Sequence, residues 1–158
     1  MDVGVTPIRL ASVEDAGAIA RLSRDTIEAG LPWRWQPAAI ERFIESDHHN
    51  VIVAGCEALL GFAVMNYREE DAYLALLAVA PDARRGGLAR RLLSWLLKTG
   101  DVAGIATVKV DLREDNIAAW RLYEEAGFVE AGRKSGAYYG RVNQVSMRLT
   151  LRPSEALP

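Results

Sequence analysis

The hydrophobic positions along the chain change their period several times, and each change predicts a new secondary-structure element. Apolar residues at helical spacing predict helices, whereas short apolar or alternating runs bounded by turn residues predict strands. The strands are predicted over residues 8–10, 50–55, 58–67, 72–80, 107–113, 128–132 and 142–151. The helices are predicted to run from the Ser12 cap to Gly30, from Pro37 through Ile44, over residues 87–99 and over residues 116–126.

The order of these elements, β-α-α-β-β-β-α-β-α-β-β, favours a mixed α/β fold. The strand–helix–strand segment over residues 72–113 implies a parallel pair joined by a right-handed crossover. Hairpins on either side imply that antiparallel strands complete the sheet, with a loop over residues 133–141 between the last two strands. Because the chain has 158 residues and no linker-like stretch, we expect one domain over residues 1–158.

Composition and charge narrow the possible function classes. Hydrophobic residues make up 50% of the chain, as in a globular domain, and a net charge of −2 gives no general attraction to nucleic acid. Cys56 is the single cysteine, and His48 and His49 are the only histidines, so neither a disulfide within the chain nor a metal site is expected. No apolar run reaches the roughly 20 residues of a membrane span and no signal peptide is visible, so we expect a cytoplasmic protein without a membrane partner.

Residues 79–93 combine the end of a buried strand, a loop rich in arginine and glycine, and the start of a helix. The first amides of a helix have no acceptor within it, and glycines allow a backbone to approach an anion closely. The cationic side chains around this opening are Arg84, Arg85, Arg90 and Arg91. The segment therefore predicts a pyrophosphate-binding loop, although an ordinary turn with a solvated basic face has the same pattern.

A second segment opens the helix over residues 116–126. Asn116 and Tyr123 are seven residues apart, which is about two helical turns, so both are predicted on one face. Taken singly, Asn116 also fits a helix cap and Tyr123 also fits a half-buried core aromatic.

Together these segments resemble the GNAT superfamily of acetyl-CoA-dependent N-acetyltransferases over roughly residues 7–150. The loop signature of that family is met by Arg84, Gly87 and Ala89, with Arg85 where the family often has glycine. The later signature of the family is met by Asn116, Tyr123, Gly127 and Phe128. The resemblance implies a mostly antiparallel sheet of six to seven strands, helices on both faces and a central splayed parallel pair. There is some similarity to the ribosomal-protein N-terminal-alanine acetyltransferases.

The resemblance also implies that acetyl-CoA is the acetyl-donor cosubstrate and lies between the strands over residues 72–80 and 107–113. The strand backbone at Leu77, Ala78 and Val79 would pair with the pantetheine arm, and Asn116 would bond the pantetheine region. Tyr123 would direct its hydroxyl at the thioester sulfur. The expected pyrophosphate-binding residues are Arg84, Arg85, Gly86, Gly87, Leu88, Ala89 and Arg90.

The implied reaction is direct attack of a neutral amine on the thioester, which needs an oxyanion donor, a base and an acid. By resemblance, the Val79 amide is the oxyanion donor and Tyr123 is the acid. Asp111 matches a position where the ribosomal-protein acetyltransferases carry a glutamate, and it is the candidate base, although it also fits a surface residue paired with Lys109 or Arg113. The acidic cluster at residues 69–71 is a weaker candidate and also fits a solvated turn.

Two aromatic pairs are candidates for binding the acceptor. Trp33 and Trp35 lie between the first two helices, and Tyr138 and Tyr139 lie between the last two strands. Each pair fits either a wall of the acceptor site or a cap over the core. The sequence predicts an N-acetyltransferase, monomeric or homodimeric, acting on a protein N-terminus or a small amine. A non-catalytic acyl-CoA-binding or sensor module stays open as the alternative.

Overall fold

The computed structural model describes residues 6–138 and 140–152 of the chain. The strands are β1 (Ile8–Leu10), β2 (His49–Ala54), β3 (Gly61–Tyr67), β4 (Asp71–Val79), β5 (Thr107–Arg113), β6 (Val129–Tyr138) and β7 (Val142–Thr150). The helices are α1 (Ala16–Thr26), α2 (Pro37–Glu45), α3 (Leu88–Val102) and α4 (Ile117–Glu125), with short 3₁₀ turns at Val13–Asp15 and Pro81–Ala83. None of the helices in the described ranges is long and apolar enough to cross a membrane.

The strands form a seven-stranded sheet in the order β1-β2-β3-β4-β5-β7-β6. The pair β4–β5 is parallel, with residues 71–74 opposite residues 107–110, and the sheet is otherwise mostly antiparallel. The predicted mixed fold with one central parallel pair is therefore confirmed.

The chain divides into two compact units, and β4 contributes to both. The first unit contains the chain up to Asn66 together with Ala75–Leu96, and the second contains Tyr67–Leu74 together with the chain from Leu97 onward.

In the first unit, helices cover both faces of the strands. Ile19 of α1 and Ile40 of α2 join a buried cluster with Val53 and Phe62 on one face. The opposite face of β2 and β3 is equally buried, with Ile52 showing no exposure. Here the predicted placement of helices on both faces is confirmed.

Gly61 marks how closely α3 approaches that opposite face. A β-carbon on Gly61 would lie 3.1 Å from the Leu92 Cδ1 of α3 and 3.1 Å from the Ala78 carbonyl oxygen. Such a contact is tighter than ordinary packing, so a residue without a side chain allows the helix to lie close to the strand.

In the second unit, the side chains of β5 alternate between a buried face and a more exposed face, as predicted. Val108, Val110 and Leu112 are buried, whereas Lys109, Asp111 and Arg113 occupy the other face. All seven residues of β5 pair with β7 in antiparallel register.

Two predicted boundaries are wrong in ways that have a physical cause. The segment over residues 133–138 belongs to β6 and is not a loop, because it pairs with β7. Two register shifts in this pairing interrupt the period-two pattern that would indicate a strand. The third strand begins at Gly61 and not at Ala58, because the Leu60 amide bonds to the Ala54 carbonyl at 2.8 Å and closes the turn before it. In addition, α1 ends at Thr26 instead of reaching Gly30.

The contact of α3 with the sheet generates a stability prediction. Leu92 is fully buried, so Leu92→Ala should lower the free energy of unfolding by about 2–5 kcal/mol through lost contacts and a residual cavity. Val102 on the same helix is 87% exposed, and Val102→Ala should change it by less than about 0.5 kcal/mol. Urea unfolding of both variants measures the difference, and equal midpoints would contradict this account of the packing.

Candidate active site

The loop between β4 and α3 turns through two residues with left-handed backbone conformation. Arg85 has φ 71° and Gly87 has φ 80°. Glycine adopts this conformation at no steric cost, whereas a residue with a β-carbon pays roughly 1–2 kcal/mol. Arg85, the departure noted in the sequence, therefore occupies a backbone position that suits glycine.

The start of α3 has the features of an anion site. The first bond within the helix runs from the Arg91 amide to the Gly87 carbonyl at 3.0 Å, so the amides of Leu88 and Ala89 point out of its N-terminus. A β-carbon on Gly87 would meet nothing within 4 Å, so this side of the loop is open. Open space beside outward-pointing amides and the exposed Arg84 fits a diphosphate group.

Arg84 also ties the loop to the strand before it. Its guanidinium Nε donates to the carbonyl of Val79 at 3.2 Å, while the Ala80 amide donates to the Leu60 carbonyl at 2.7 Å. The end of β4 and the start of the loop are thereby held by separate hydrogen bonds. Of the residues predicted to meet pantetheine, Ala78 and Val79 are buried and Leu77 is half-buried.

In the second unit, the Asp111 carboxylate lies between hydroxyl groups from the two strands that flank β5. The Tyr73 hydroxyl on β4 donates to Oδ2 at 2.9 Å. The Ser146 hydroxyl on β7, directly opposite Asp111 in the register, donates to Oδ1 at 2.6 Å. Both carboxylate oxygens are therefore engaged, and the group is half-buried.

Lys109 and Arg113, the two ion-pair partners that the sequence offered for Asp111, pair with other carboxylates. Lys109 Nζ lies 3.1 Å from Asp71 Oδ2, and the Arg113 guanidinium lies 3.1 Å from Asp115 Oδ2. The surface-pair alternative for Asp111 is thus not the arrangement that the structure has.

Two phenols, those of Tyr73 and Tyr138, interact electrostatically with this carboxylate. Burial, followed by the hydrogen bond to Asp111, raises the pKa of Tyr73 well above its ordinary value, and the phenols of Tyr138 and Tyr123 add to the effect. Burial and the charge of Asp111 also raise the pKa of Tyr138, against an opposing effect of Arg113, whose guanidinium lies 5.7 Å from the Tyr138 ring centre. The structure therefore brings Tyr138, a predicted acceptor residue, near Asp111.

Tyr123 is buried on α4. Its ring packs against Phe128 at 5.4 Å between centroids, and burial raises the pKa of its hydroxyl, so the phenol stays protonated at neutral pH. Asn116 caps α4, its Oδ1 accepting from the Ala119 amide at 3.1 Å, so the cap expected as an alternative is present.

The two tryptophans pack on the helical core of the first unit. The Trp33 indole donates to the Ala20 carbonyl at 3.3 Å, and Trp35 lies 5.3 Å from Phe43 between ring centres. This packing accounts for both side chains as a cover of the core, and their role in acceptor binding stays a prediction. Tyr139 lies outside the described residues.

The weaker candidates have ordinary surroundings. Glu69 and Glu70 are exposed in the turn before β4, whereas Asp71 pairs with Lys109. Of the two histidines, His48 is exposed, and His49 differs from expectation in opening β2 and stacking on Phe43. Over the described part of the chain, no three His, Cys, Asp or Glu side chains gather as a metal site needs.

Sequence reasoning missed Tyr73 and Ser146. Tyr73 is the only polar side chain between Asp71 and Val79 of an otherwise apolar strand, a signal that could have singled it out. Ser146 carries no such signal, because its significance depends on the register between β7 and β5.

Known proteins are similar to this chain in sequence and in fold. Residues 19–128 match the acetyltransferase (GNAT) family. The chain is 35% identical over 96 residues to the ribosomal protein bS18-alanine N-acetyltransferase of Escherichia coli K12, covering 59% of this chain and 65% of that protein. The alignment thus spans slightly less than two thirds of this relative.

Two further similarities are to another curated enzyme and to a solved structure. The chain is 32% identical over 97 residues to the L-2,4-diaminobutyric acid acetyltransferase of Vibrio cholerae, covering 57% of this chain and 56% of that protein. The crystal structure of the ribosomal-protein-S18-alanine N-acetyltransferase from Escherichia coli superposes with a TM-score of 0.84 and 26% identity, covering 98% of this chain and 99% of that one.

The open side of the loop generates a binding prediction. Gly87→Val should weaken acetyl-CoA binding by about tenfold or more, which is about 1.4 kcal/mol, because a side chain would occupy the space beside the amides of α3. Gly104→Val is a matched control, since Gly104 also has a positive φ, of 85°, and open space around its Cα but lies after α3. Calorimetry on both folded variants measures the effect, and equal affinities would remove the phosphate role from this loop.

Proposed function

The chain belongs to the acetyltransferase (GNAT) family, and we propose that it transfers the acetyl group of acetyl-CoA to a primary amine. The observation that carries this proposal is the Asp111 carboxylate, held by two hydroxyls in a cluster with protonated phenols. Proton transfer from an amine needs an acceptor of this kind, and a departing thiolate needs a donor.

In the first unit, the proposal assigns acetyl-CoA binding to the loop and to the strand before it. The amides at the start of α3 and the guanidinium groups of Arg84, Arg85 and Arg90 would hold the diphosphate. The backbone of Leu77, Ala78 and Val79 would pair with pantetheine as an added strand does, and the Val79 amide would stabilise the oxyanion. Acetyl-CoA supplies the activated acetyl group as a thioester.

In the second unit, two side chains would carry out the proton transfers of the reaction. Asp111 is the general base and takes the proton of the amine, directly or through one water, because each oxygen keeps lone pairs beyond the one used by its hydroxyl partner. Tyr123 is the general acid, and its raised pKa keeps the proton available for the departing sulfur. Asn116 would contact the pantetheine region by its exposed side-chain amide.

The acceptor is proposed to be a protein N-terminus or a small amine. Two relatives support this, since the name of one gives an alanine of ribosomal protein bS18 as the acceptor and the name of the other gives L-2,4-diaminobutyric acid. Tyr138 is the acceptor-binding candidate that the geometry favours, because it lies near Asp111. Tyr139, Trp33 and Trp35 are the other proposed acceptor-binding residues. We also propose a cytoplasmic location and a monomeric or homodimeric state.

The competing proposal is a non-catalytic acyl-CoA-binding or sensor module. Its support is that the segment over residues 74–80 carries no ionisable group, so no base can come from that part of β4. A sensor needs the loop but not the carboxylate, which separates the two proposals experimentally.

The test is release of coenzyme A thiol from acetyl-CoA in the presence of an amine panel. The panel contains a peptide with a free N-terminal alanine, the same peptide with a blocked N-terminus, and 2,4-diaminobutyrate. An enzyme releases thiol with one of the free amines and not with the blocked peptide. Binding of acetyl-CoA without release for any amine would favour the sensor.

The position of Tyr123 generates a kinetic prediction. Tyr123→Phe should keep the fold and most of the acetyl-CoA affinity but lower kcat by about 10- to 1000-fold, because the ring still packs on Phe128 while the proton donor is lost. Tyr67→Phe, which removes a phenol at the end of β3, serves as the control and should keep kcat. Full turnover in the Tyr123 variant would leave the thiolate without an assigned acid.

A further inference from the structure

The Asp111 carboxylate accepts one hydrogen bond from each of the two strands that flank β5. Ser146 is its direct cross-strand partner on β7, whereas Tyr73, opposite Lys109 in the register, reaches Asp111 from β4 along a diagonal. One hydroxyl serves each oxygen, at 2.6 Å for Ser146 and 2.9 Å for Tyr73. Rotation of the carboxylate about its χ2 would therefore break both hydrogen bonds at once.

The two hydroxyls differ in what else they do. Tyr73 has a large ring that is half-buried, so its substitution would change more than the hydrogen bond. Ser146 has a small side chain, and its one proton is committed to Asp111 Oδ1. Hydrogen bonds from a hydroxyl to an ionised carboxylate are short and stronger than neutral ones, and 2.6 Å lies in that range.

We propose that Ser146 is a positioning residue for acetyl transfer: its hydroxyl fixes the Asp111 carboxylate in the orientation in which it takes the proton of the amine. This inference rests on the proposed function, since it acts through Asp111. Positioning matters because a proton transfer needs donor and acceptor within hydrogen-bond reach in a defined direction. With Ser146 removed, Tyr73 alone holds one oxygen, and the carboxylate can turn about that single bond.

The first measurement compares Ser146→Ala with Ser146→Thr. The alanine variant should lower kcat by about tenfold while the KM for acetyl-CoA stays within about twofold, because only the proton acceptor is disturbed. Threonine keeps the hydroxyl and suits a strand, so it should restore kcat to within about threefold of the unmodified chain. Thr150→Ala, four residues further along the same face of β7, is the control and should leave kcat unchanged. The acceptor in these assays is the amine of the panel described above that releases the most coenzyme A thiol from acetyl-CoA.

A second measurement needs no acceptor. The ¹³Cγ resonance of Asp111, followed at neutral pH, should move in Ser146→Ala and return in Ser146→Thr, since it reports the hydrogen bond directly. If the alanine variant does not fold, Ser146→Cys keeps the size and weakens the donor, and the same changes are expected from it. An unmoved resonance in a folded variant would overturn the inference.

The third measurement separates this inference from the proposed function. Asp111→Asn should lower kcat by about 10²- to 10⁴-fold, and in that background Ser146→Ala should change kcat by less than about twofold. If Asp111→Asn keeps full turnover, the base assignment fails and the inference fails with it. If Asp111→Asn is impaired but Ser146→Ala alone is not, or if the two effects multiply, the base assignment stands and only the role of Ser146 is overturned.

Discussion

The short parallel pairing of β4 with β5 is the constraint on which the chemistry of the second unit depends. Residues 71–74 lie opposite residues 107–110, and this register brings the Tyr73 hydroxyl to the Asp111 carboxylate. Since side chains alternate between the faces of a strand, a slip of one residue would turn Asp111 away from its partners. The antiparallel pairing with β7 fixes the same carboxylate from the other side by placing Ser146 opposite it.

The strand β4 serves two tasks along its length. Its first residues carry Tyr73, whose phenol belongs to the cluster around Asp111. Its last residues lead into the loop, where Val79 accepts a hydrogen bond from Arg84. A single strand thus supplies backbone for the proposed cosubstrate binding and a side chain for the proposed proton transfer, each within its own unit.

Local sequence patterns were sufficient for the kind and order of the elements. The run of apolar residues in β4 and the alternation of apolar and polar residues in β5 could be predicted, because each pattern depends on residues close together in the sequence. The hydrogen-bond partners of Asp111 could not be predicted, because Tyr73 and Ser146 are 38 and 35 residues away along the chain. Two register shifts hid the extension of β6 for a related reason: pairing with β7 and not local periodicity maintains that strand.

The left-handed backbone at Arg85 has a consequence for how the loop meets its ligand. Glycine at this position would explore many backbone states before binding, and those states would be lost on ordering the loop. Arginine has fewer backbone states to lose than glycine, but the left-handed region is unfavourable for it, so this advantage is offset by a strain of roughly 1–2 kcal/mol. The left-handed conformation of Arg85 is therefore a local strain in the free protein, at a position where the side chain adds a guanidinium group beside the proposed diphosphate site.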